Sequence, residues 1–242
     1  MDIQVVDGVS VVRLDHPPVN ALDLGLLDDV IDAMSGIAGP VMITGAGRCF
    51  SAGVDLPAIV EGGAEYTDRF MTALSAAFLA VFDHPAPVVA AINGHAIAGG
   101  CVFAMAADIR LMSGGTIGLT ELAVGAMFPM AAIEICRNAM GTSVTQAALG
   151  AGTVDVSAAA ALGWVDEVVT DDELLPRAIG LARELGEFSR AAYAMTKQQL
   201  HRPARLAIDA GAQTDAAVRA DWMSAKTQAR FTAYMEALAH KR

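Results

Sequence analysis

Residues 93–108 read NGHAIAGGCVFAMAAD, a stretch in which a pair of glycines opens an apolar run that ends at Asp108. It continues a buried-strand pattern, APVVAAING, and then passes through the pair Gly99 and Gly100 into an apolar run. Glycine lacks a Cβ, so the backbone at such a turn can approach a ligand closely. A helix that begins there has unpaired N–H groups and the positive end of its dipole at the turn. The pattern predicts a strand, a turn and a helix, with backbone N–H groups available to a ligand.

A second glycine turn, FSAGVDL at residues 50–56, follows another buried strand, GPVMITGAG at residues 39–47. If the two turns converge, one N–H group from each would form an oxyanion hole, which stabilises developing negative charge. Two ordinary tight turns are the alternative, because glycine turns are common. The spacing in GAGRCFSAG does not fit a dinucleotide-binding loop, no Walker lysine follows, and a G-x-S-x-G serine motif is absent from the sequence.

Glu121 is the single acid in the apolar segment TIGLTELAVGAMF, residues 116–128. Thr120 is placed to begin a short helix, with Glu121 in its first turn. An acid in an apolar environment has a raised pKa, which suits a general base or acid near neutral pH. The alternative at this point is a partly exposed acid at the start of a helix.

Composition excludes several classes of protein. Hydrophobic residues make up 54% and charged residues 18% of the 242 positions, which argues against disorder. The net charge of −11 disfavours a nucleic-acid partner, and the lack of a long apolar run disfavours a membrane span. The first ten residues carry acids where a signal peptide would be basic, so we expect a cytoplasmic protein. The three cysteines and five histidines show no CxxC, HxH or HExxH spacing, so no metal site is expected.

The alternation of strand, turn and helix predicts an α/β layered core that extends to about residue 170. A hairpin is expected around Asp7 and Gly8, the segment CFSAGVDL is expected to be a loop, and a helix is expected over residues 66–82. The rest of the chain is expected to be helical and to be broken into two long helices at Arg202 and Pro203.

The whole chain resembles the crotonase (enoyl-CoA hydratase/isomerase) superfamily. The resemblance rests on the segments HPPVNALD, VMITGAGRCFSAGVDL, PAPVVAAINGHAIAGGC, AADIRL, IGLTELAVG, AAALGWVDEVV and FTAYMEAL, in this order. It implies a crotonase-like α/β fold, a spiral of repeated ββα units with a helical C-terminal region. The implied domains are a spiral core at residues 1–170 and a helical trimerisation region at residues 171–242.

The resemblance also implies an acyl-CoA site. Its oxyanion hole would be formed by the N–H groups of Val54 and Gly99, which would hold the thioester carbonyl. For several of the further residues, a structural role in packing, turn formation or helix capping is the alternative to a contact with the substrate. The substrate-binding residues that the motifs imply are Asn20, Ala21, Leu22, Ser51, Ala52, Gly53, Asp55, Leu56, Ala98, Gly100 and Val102.

One departure from the family pattern favours one of the family's reactions over the others. Hydratases of the family use two glutamates, and Val102 occupies the position of the first, whereas Glu121 matches the second. A single base favours isomerisation of a 3-enoyl-CoA to a 2-enoyl-CoA, and the motifs look closest to the 3,2-enoyl-CoA isomerases. Hydration, thioester hydrolysis, decarboxylation and binding without turnover stay open as alternatives.

The expected partner is an acyl-CoA thioester of fatty acid metabolism, with coenzyme A as part of the substrate and no separate cofactor or metal. The family resemblance implies a homotrimer or a dimer of trimers, with neither nucleic acid nor membrane as a partner. The floor of the acyl pocket is expected in YTDRFMTALSAAF and GAMFPM, residues 66–78 and 125–130.

Overall fold

The computed structural model describes residues 1–240 and contains two sheets surrounded by helices. The six-stranded main sheet has the order β1-β2-β3-β5-β7-β10, and the four-stranded small sheet has the order β4-β6-β8-β9. The strands are β1 Asp2–Val6, β2 Val9–Leu14, β3 Val41–Gly45, β4 Cys49–Ser51, β5 Val88–Ile92, β6 His95–Ile97, β7 Ile109–Met112, β8 Thr116–Gly118, β9 Thr153–Asp155 and β10 Glu167–Val168. The helices are α1 Leu24–Gly36, α2 Leu56–Phe82, α3 Gly99–Ala106, α4 Glu121–Val124, α5 Met130–Met140, α6 Val144–Gly150, α7 Val156–Ala161, α8 Asp171–Gly186, α9 Arg190–Ala210, α10 Ala212–Trp222 and α11 Ala225–Ala239.

Three consecutive ββα units, β3-β4-α2, β5-β6-α3 and β7-β8-α4, form the predicted spiral. The first strand of each unit pairs in parallel in the main sheet, and the second strand pairs in parallel in the small sheet. The main-sheet strands VMITG and VVAAI are buried throughout, as expected for parallel strands covered on both faces. The predicted α/β crotonase-like fold is confirmed.

The segment predicted as a loop before residue 56 differs from the expectation. Residues 49–51 form strand β4, which pairs with β6 through a register shift. The strand is only three residues long and its pairing partner is distant in sequence, so its local pattern carries little strand signal. Helix α2 also begins earlier than predicted, at Leu56, and contains a break at Gly63, where φ is 68°.

Helix α8 covers the face of the main sheet that the ββα helices leave open. Its buried residues Leu174, Ala178 and Ala182 pack against strand residues that include Met42 and Val89. The side chains of Thr170 and Glu173 form a capping box at its start. All regular elements that are described after residue 170 are helices. The domain division at residue 170 and the trimerisation role of the C-terminal region stay predictions.

The predicted helix break at Arg202 and Pro203 is wrong. Helix α9 continues through Pro203, and residues 171–240 form four helices with breaks near residues 188, 211 and 223. A proline inside a helix costs on the order of 3 kcal/mol, because it removes one hydrogen bond and crowds the preceding turn. Burial of Ala204 and Ile208 on the same helix offsets this cost through tertiary packing, which the local sequence does not reveal.

Among the described residues, no helix is long and apolar enough to cross a membrane.

Replacing Leu174 with alanine tests the packing of α8 on the sheet. Leu174 is 1% exposed, so the variant should lose about 2–5 kcal/mol in free energy of unfolding. Leu149→Ala is the matched control, because this leucine is 71% exposed and its loss should change stability by no more than about 0.5 kcal/mol. Urea denaturation followed by circular dichroism measures both. Equal losses in the two variants would contradict the packing of α8 described here.

Candidate active site

A cavity of about 660 Å³ lies where the turns after β4 and β6 meet helix α4 and the C-terminal helices. Its wall is mostly apolar, with a few polar side chains. The lining residues are Pro18, Val19, Ala21, Ala52, Val54, Asp55, Leu56, Pro57, Leu74, Phe78, Ile97, Ala98, Gly99, Val102, Thr120, Glu121, Val124, Ala126, Met127, Pro129, Ala132, Trp222, Tyr234, Met235 and Leu238.

The first predicted N–H donor, Val54, lies in a bridge with Leu22. The N–H of Leu22 donates to Gly53 O at 2.8 Å, and the N–H of Asp55 donates to Leu22 O at 3.0 Å. In this parallel pairing the bridge uses the groups on either side of Val54, so the N–H of Val54 itself points away from Leu22. The Val54 N–H is therefore left for a ligand at the cavity wall.

The second predicted donor, Gly99, is the first residue of α3, and its N–H has no acceptor within the helix. Ala98 precedes it with φ 51° and ψ −120°, a conformation that is unusual for a residue with a Cβ. The N–H of Ala98 donates to Gly118 O at 2.9 Å, and its carbonyl accepts from Val102 N–H at 3.0 Å. These two bonds hold the turn that places Gly99 in the wall of the cavity.

The two turns lie in direct contact with each other. A Cβ placed on Gly53, where φ is +84°, would lie 2.8 Å from Ile97 O and 3.3 Å from Gly99 N. Such distances are too short for any larger residue, so glycine at this position allows the close approach. The structure thus brings the predicted donors Val54 and Gly99 to one wall of the cavity.

Glu121 is the first residue of α4, and it lines the same cavity. Its Oε2 is buried without a hydrogen-bond partner among the described residues. Burial raises the pKa of Glu121 to about 7, and the nearby backbone N–H groups of Glu121 and Thr120 oppose part of this rise. A carboxyl with this pKa can accept or donate a proton near neutral pH.

Glu121 and Asp55 are the carboxyl groups among the described residues that line the cavity. Asp55 Oδ1 accepts the N–H of Ala58 at 3.0 Å and caps helix α2, so it has a structural partner. Val102, where hydratases of the superfamily carry a glutamate, is fully buried and presents an apolar side chain to the cavity. The cavity is thus lined by one carboxyl with an unpartnered oxygen, that of Glu121, and by the two residues predicted to supply backbone donors, Val54 and Gly99.

Some of the predicted substrate-binding residues line the cavity and others support its wall. Those that line it are Ala21, Ala52, Asp55, Leu56, Ala98 and Val102, whereas Asn20, Leu22, Ser51, Gly53 and Gly100 do not. Their role as substrate contacts stays a prediction.

Asn20 shows how the second group supports the wall, because its side chain is saturated with internal bonds. Asn20 Nδ2 donates to Cys49 O at 2.7 Å and to Ala46 O at 2.9 Å, and its Oδ1 accepts the N–H of His16 at 3.1 Å. Ser51 Oγ donates to Asn20 O at 2.7 Å. These bonds join the loop before α1 to strand β4, and they thereby fix the turn that carries Val54.

Residues of the C-terminal helices complete the cavity and were missed as site residues. Trp222, Tyr234, Met235 and Leu238 belong to α10 and α11, about a hundred positions after Glu121 in the chain. Their apolar character indicated that these side chains would be buried, but it did not indicate that they would lie at the cavity. The expected floor segments do reach the cavity, through Leu74 and Phe78 of the first and residues 126, 127 and 129 of the second.

Among residues 1–240, no group of three or more His, Cys, Asp or Glu side chains is arranged to hold a metal ion.

Glu121→Gln should change how stability depends on pH. The folded-state pKa of about 7 lies above the ordinary 4.5, so the folded wild type loses stability as pH rises through this window. The glutamine variant lacks this loss, and its free energy of unfolding should therefore rise relative to wild type by up to about 3 kcal/mol between about pH 5 and about pH 8. Urea denaturation at the two pH values measures this. If the difference in free energy of unfolding between variant and wild type were the same at both pH values, Glu121 would have an ordinary pKa.

Comparisons with known proteins identify the family of this chain. Residues 4–241 match the family described as Enoyl-CoA hydratase/isomerase. A "Putative enoyl-CoA hydratase" of Thermus thermophilus is 34% identical over 211 residues, 82% of this chain and 83% of that protein. The mitochondrial "Enoyl-CoA delta isomerase 1" of Rattus norvegicus is 30% identical over 181 residues, 71% of this chain and 63% of that protein. The crystal structure of human mitochondrial delta3-delta2-enoyl-CoA isomerase superposes with a TM-score of 0.92 at 22% identity over 99% of both chains, a likeness of fold. The chain belongs to the enoyl-CoA hydratase/isomerase family.

Proposed function

We propose that this protein isomerises a 3-enoyl-CoA to the 2-enoyl-CoA. The observation that carries the proposal is the single unpartnered carboxyl, Glu121, in a cavity where Val102 takes the place of a second one. Moving a double bond by one position needs only one group that removes a proton and returns it. Adding water needs a further group that activates the water molecule, and an apolar side chain cannot do this.

In the proposed reaction the thioester carbonyl oxygen accepts hydrogen bonds from the N–H groups of Val54 and Gly99. Glu121 removes a proton from C2, and the C–H electron pair forms the dienolate, whose charge rests on the carbonyl oxygen. The protonated Glu121 then gives its proton to C4, and the electrons return to form the C2–C3 double bond. Each preorganised donor of this kind stabilises a developing oxyanion by about 3 kcal/mol.

The environment of Glu121 supports this role. A base with a pKa of about 7 is ionised to a useful extent near neutral pH and is more basic than an exposed carboxylate. Its buried position also limits exchange of the captured proton with bulk water. Coenzyme A enters the proposal only as part of the substrate, and the steps require neither a separate cofactor nor a metal.

Hydration of a 2-enoyl-CoA is the second candidate. The relative from Thermus thermophilus carries the word hydratase in its name, and the family description contains both activities. Thioester hydrolysis and decarboxylation also fit a family whose common feature is an oxyanion hole. The isomerase proposal is favoured over these because the cavity offers no second unpartnered carboxyl among the described residues.

A homotrimer or a dimer of trimers remains part of the proposal. Helix α9 exposes the apolar residues Met195, Leu200 and Leu206, each more than half accessible in the single chain. An apolar surface of this kind is compatible with cover by another subunit.

The purified protein should convert 3-enoyl-CoA esters much faster than it hydrates 2-enoyl-CoA esters. A direct assay follows the ultraviolet absorbance of the conjugated 2-enoyl thioester, which rises on isomerisation and falls on hydration. Glu121→Gln is the matched variant, because it keeps the side-chain size and removes the base. It should lower kcat by about a thousandfold or more, with binding of the CoA ester retained.

Two results would overturn the assignment. A hydration rate equal to or above the isomerisation rate would show that Val102 does not exclude hydration. Near wild-type isomerisation by the glutamine variant would show that Glu121 is not the base.

Gly53→Ala tests the contact between the two turns. The new Cβ would press against Ile97 O and Gly99 N, which would separate the donors and lower kcat by about 100-fold. Gly47→Ala is the control, because Gly47 also has a positive φ, +69°, but a Cβ there would meet nothing within 4 Å. Both variants carry a similar backbone cost, so urea denaturation separates stability from activity. Equal activities in the two variants would contradict the role of the contact.

A further inference from the structure

No side chain among the described residues holds the Glu121 carboxyl by a hydrogen bond at Oε2, which has no partner. The location of the carboxyl depends on the backbone of α4, which has only four residues and ends at Gly125 with φ 76°. So short a helix does not hold itself in place. The restraint on Glu121 must therefore come from the segments that contact α4 and the α4–α5 loop, residues 125–129.

Helix α10 holds this loop at two points. Trp222 Nε1 donates a hydrogen bond to Met127 O at 2.9 Å. Asp215 Oδ1 accepts the N–H of Met130 at 2.7 Å, directly after the loop. The loop is in turn joined to the base, since the N–H of Ala126 donates to Glu121 O at 2.9 Å. These hydrogen bonds, joined by the backbone of residues 126–130, link α10 to the backbone of Glu121.

Helix α10 is itself well anchored. The ring of Trp222 stacks on Phe70 at 6.5 Å between centroids and meets Phe231 edge-on at 5.2 Å. At the other end of the helix, a Cβ on Gly211 would lie 2.8 Å from Met130 Cε, so the chain there packs tightly against the start of α5. The two hydrogen bonds therefore come from a helix that is packed against other segments at both of its ends.

We infer that Asp215 and Trp222 are positioning residues, through which helix α10 fixes the Glu121 carboxyl relative to the N–H groups of Val54 and Gly99. Asp215 does not line the cavity, so it acts without contact to the substrate. The inference rests on the proposed function insofar as Glu121 is taken as the base. It adds that the reactive geometry is set by residues about 90 to 100 positions further along the chain.

The first test uses variants of Asp215. Asp215→Ala removes the acceptor of the Met130 N–H, and kcat for isomerisation should fall by about 10- to 100-fold with little change in KM, because displacement of the base by about 1 Å has this effect. Asp215→Asn keeps an Oδ1 acceptor and should restore most of the rate. Asp155→Ala is the matched control, since Asp155 caps α7 by accepting the N–H of Ala158 at 2.8 Å on the exposed surface. It should lose stability without losing kcat.

The second readout is the titration of Glu121. Loosening the α4–α5 loop should admit water to the carboxyl and lower its pKa towards the ordinary value, so the acidic limb of the pH–rate profile should move to lower pH in Asp215→Ala. The control Asp155→Ala should leave this limb unchanged. Carbon NMR of the protein with carboxyl-labelled glutamate, assigned with Glu121→Gln, reports the same titration without any turnover.

A pair of tryptophan variants gives an independent test. Trp222→Phe keeps an aromatic ring against Phe70 and removes the indole N–H, so kcat should fall. Trp164→Phe removes a comparable bond, from Nε1 to Ser143 Oγ at 2.7 Å, at a site that does not line the cavity. Its kcat should stay at the wild-type value.

The outcomes separate the two proposals. If Asp215→Ala keeps the wild-type kcat and the wild-type titration of Glu121 while it loses as much stability as Asp155→Ala, the positioning role is wrong. If wild-type protein shows no isomerisation but the NMR titration of Glu121 shifts in Asp215→Ala, the positioning role holds and the proposed reaction is wrong. If neither the titration nor any rate changes, the inference fails irrespective of the reaction.

Discussion

The contact between Gly53 and the start of α3 is the constraint on which the site depends. The spiral places the turns after β4 and β6 next to each other, because both strands lie in parallel in the small sheet. Only a residue without a Cβ fits at Gly53, and Ala98 keeps a positive φ of 51° to direct the following N–H. Backbone strain of this kind costs on the order of 1–3 kcal/mol and persists only where the surrounding structure holds it. Here the bond from Ala98 N–H to Gly118 O supplies part of that support.

The second feature of the site is the electrostatic free-energy cost of burying the charged form of Glu121. Burying Glu121 without a partner for Oε2 makes its charged form unfavourable, and the raised pKa expresses that cost. Elsewhere the chain pairs its buried charges, as Lys197 Nζ and Asp108 do at 2.9 Å. The unpaired carboxyl therefore departs from how this protein treats its other buried charges, and such departures are characteristic of functional positions.

The C-terminal helices give the third element, since they supply one side of the cavity and the hydrogen bonds to the α4–α5 loop. Trp222 has both roles, because it lines the cavity and donates to Met127 O. Helix α8 instead covers one face of the main sheet, through Leu174 and its neighbours. The helices after residue 170 therefore have two roles, since α8 covers the main sheet while α10 and α11 reach the cavity.

The alternation of buried strands, turns and helices, the glycine turns at Gly53 and Gly99 and the isolated acid Glu121 could be read from the sequence, because each rests on a local pattern of apolar residues or on the backbone freedom of glycine. The resemblance to the family further implied, through Val102, that a second carboxyl is missing. The sequence did not determine that β4 is a strand, that α9 passes through Pro203, or that Trp222 and Tyr234 reach the cavity. Those features were decided by tertiary structure, since each depends on packing between segments far apart in the chain. The same reason applies to Asn20, whose side chain binds the backbone of Cys49, 29 positions further along the chain.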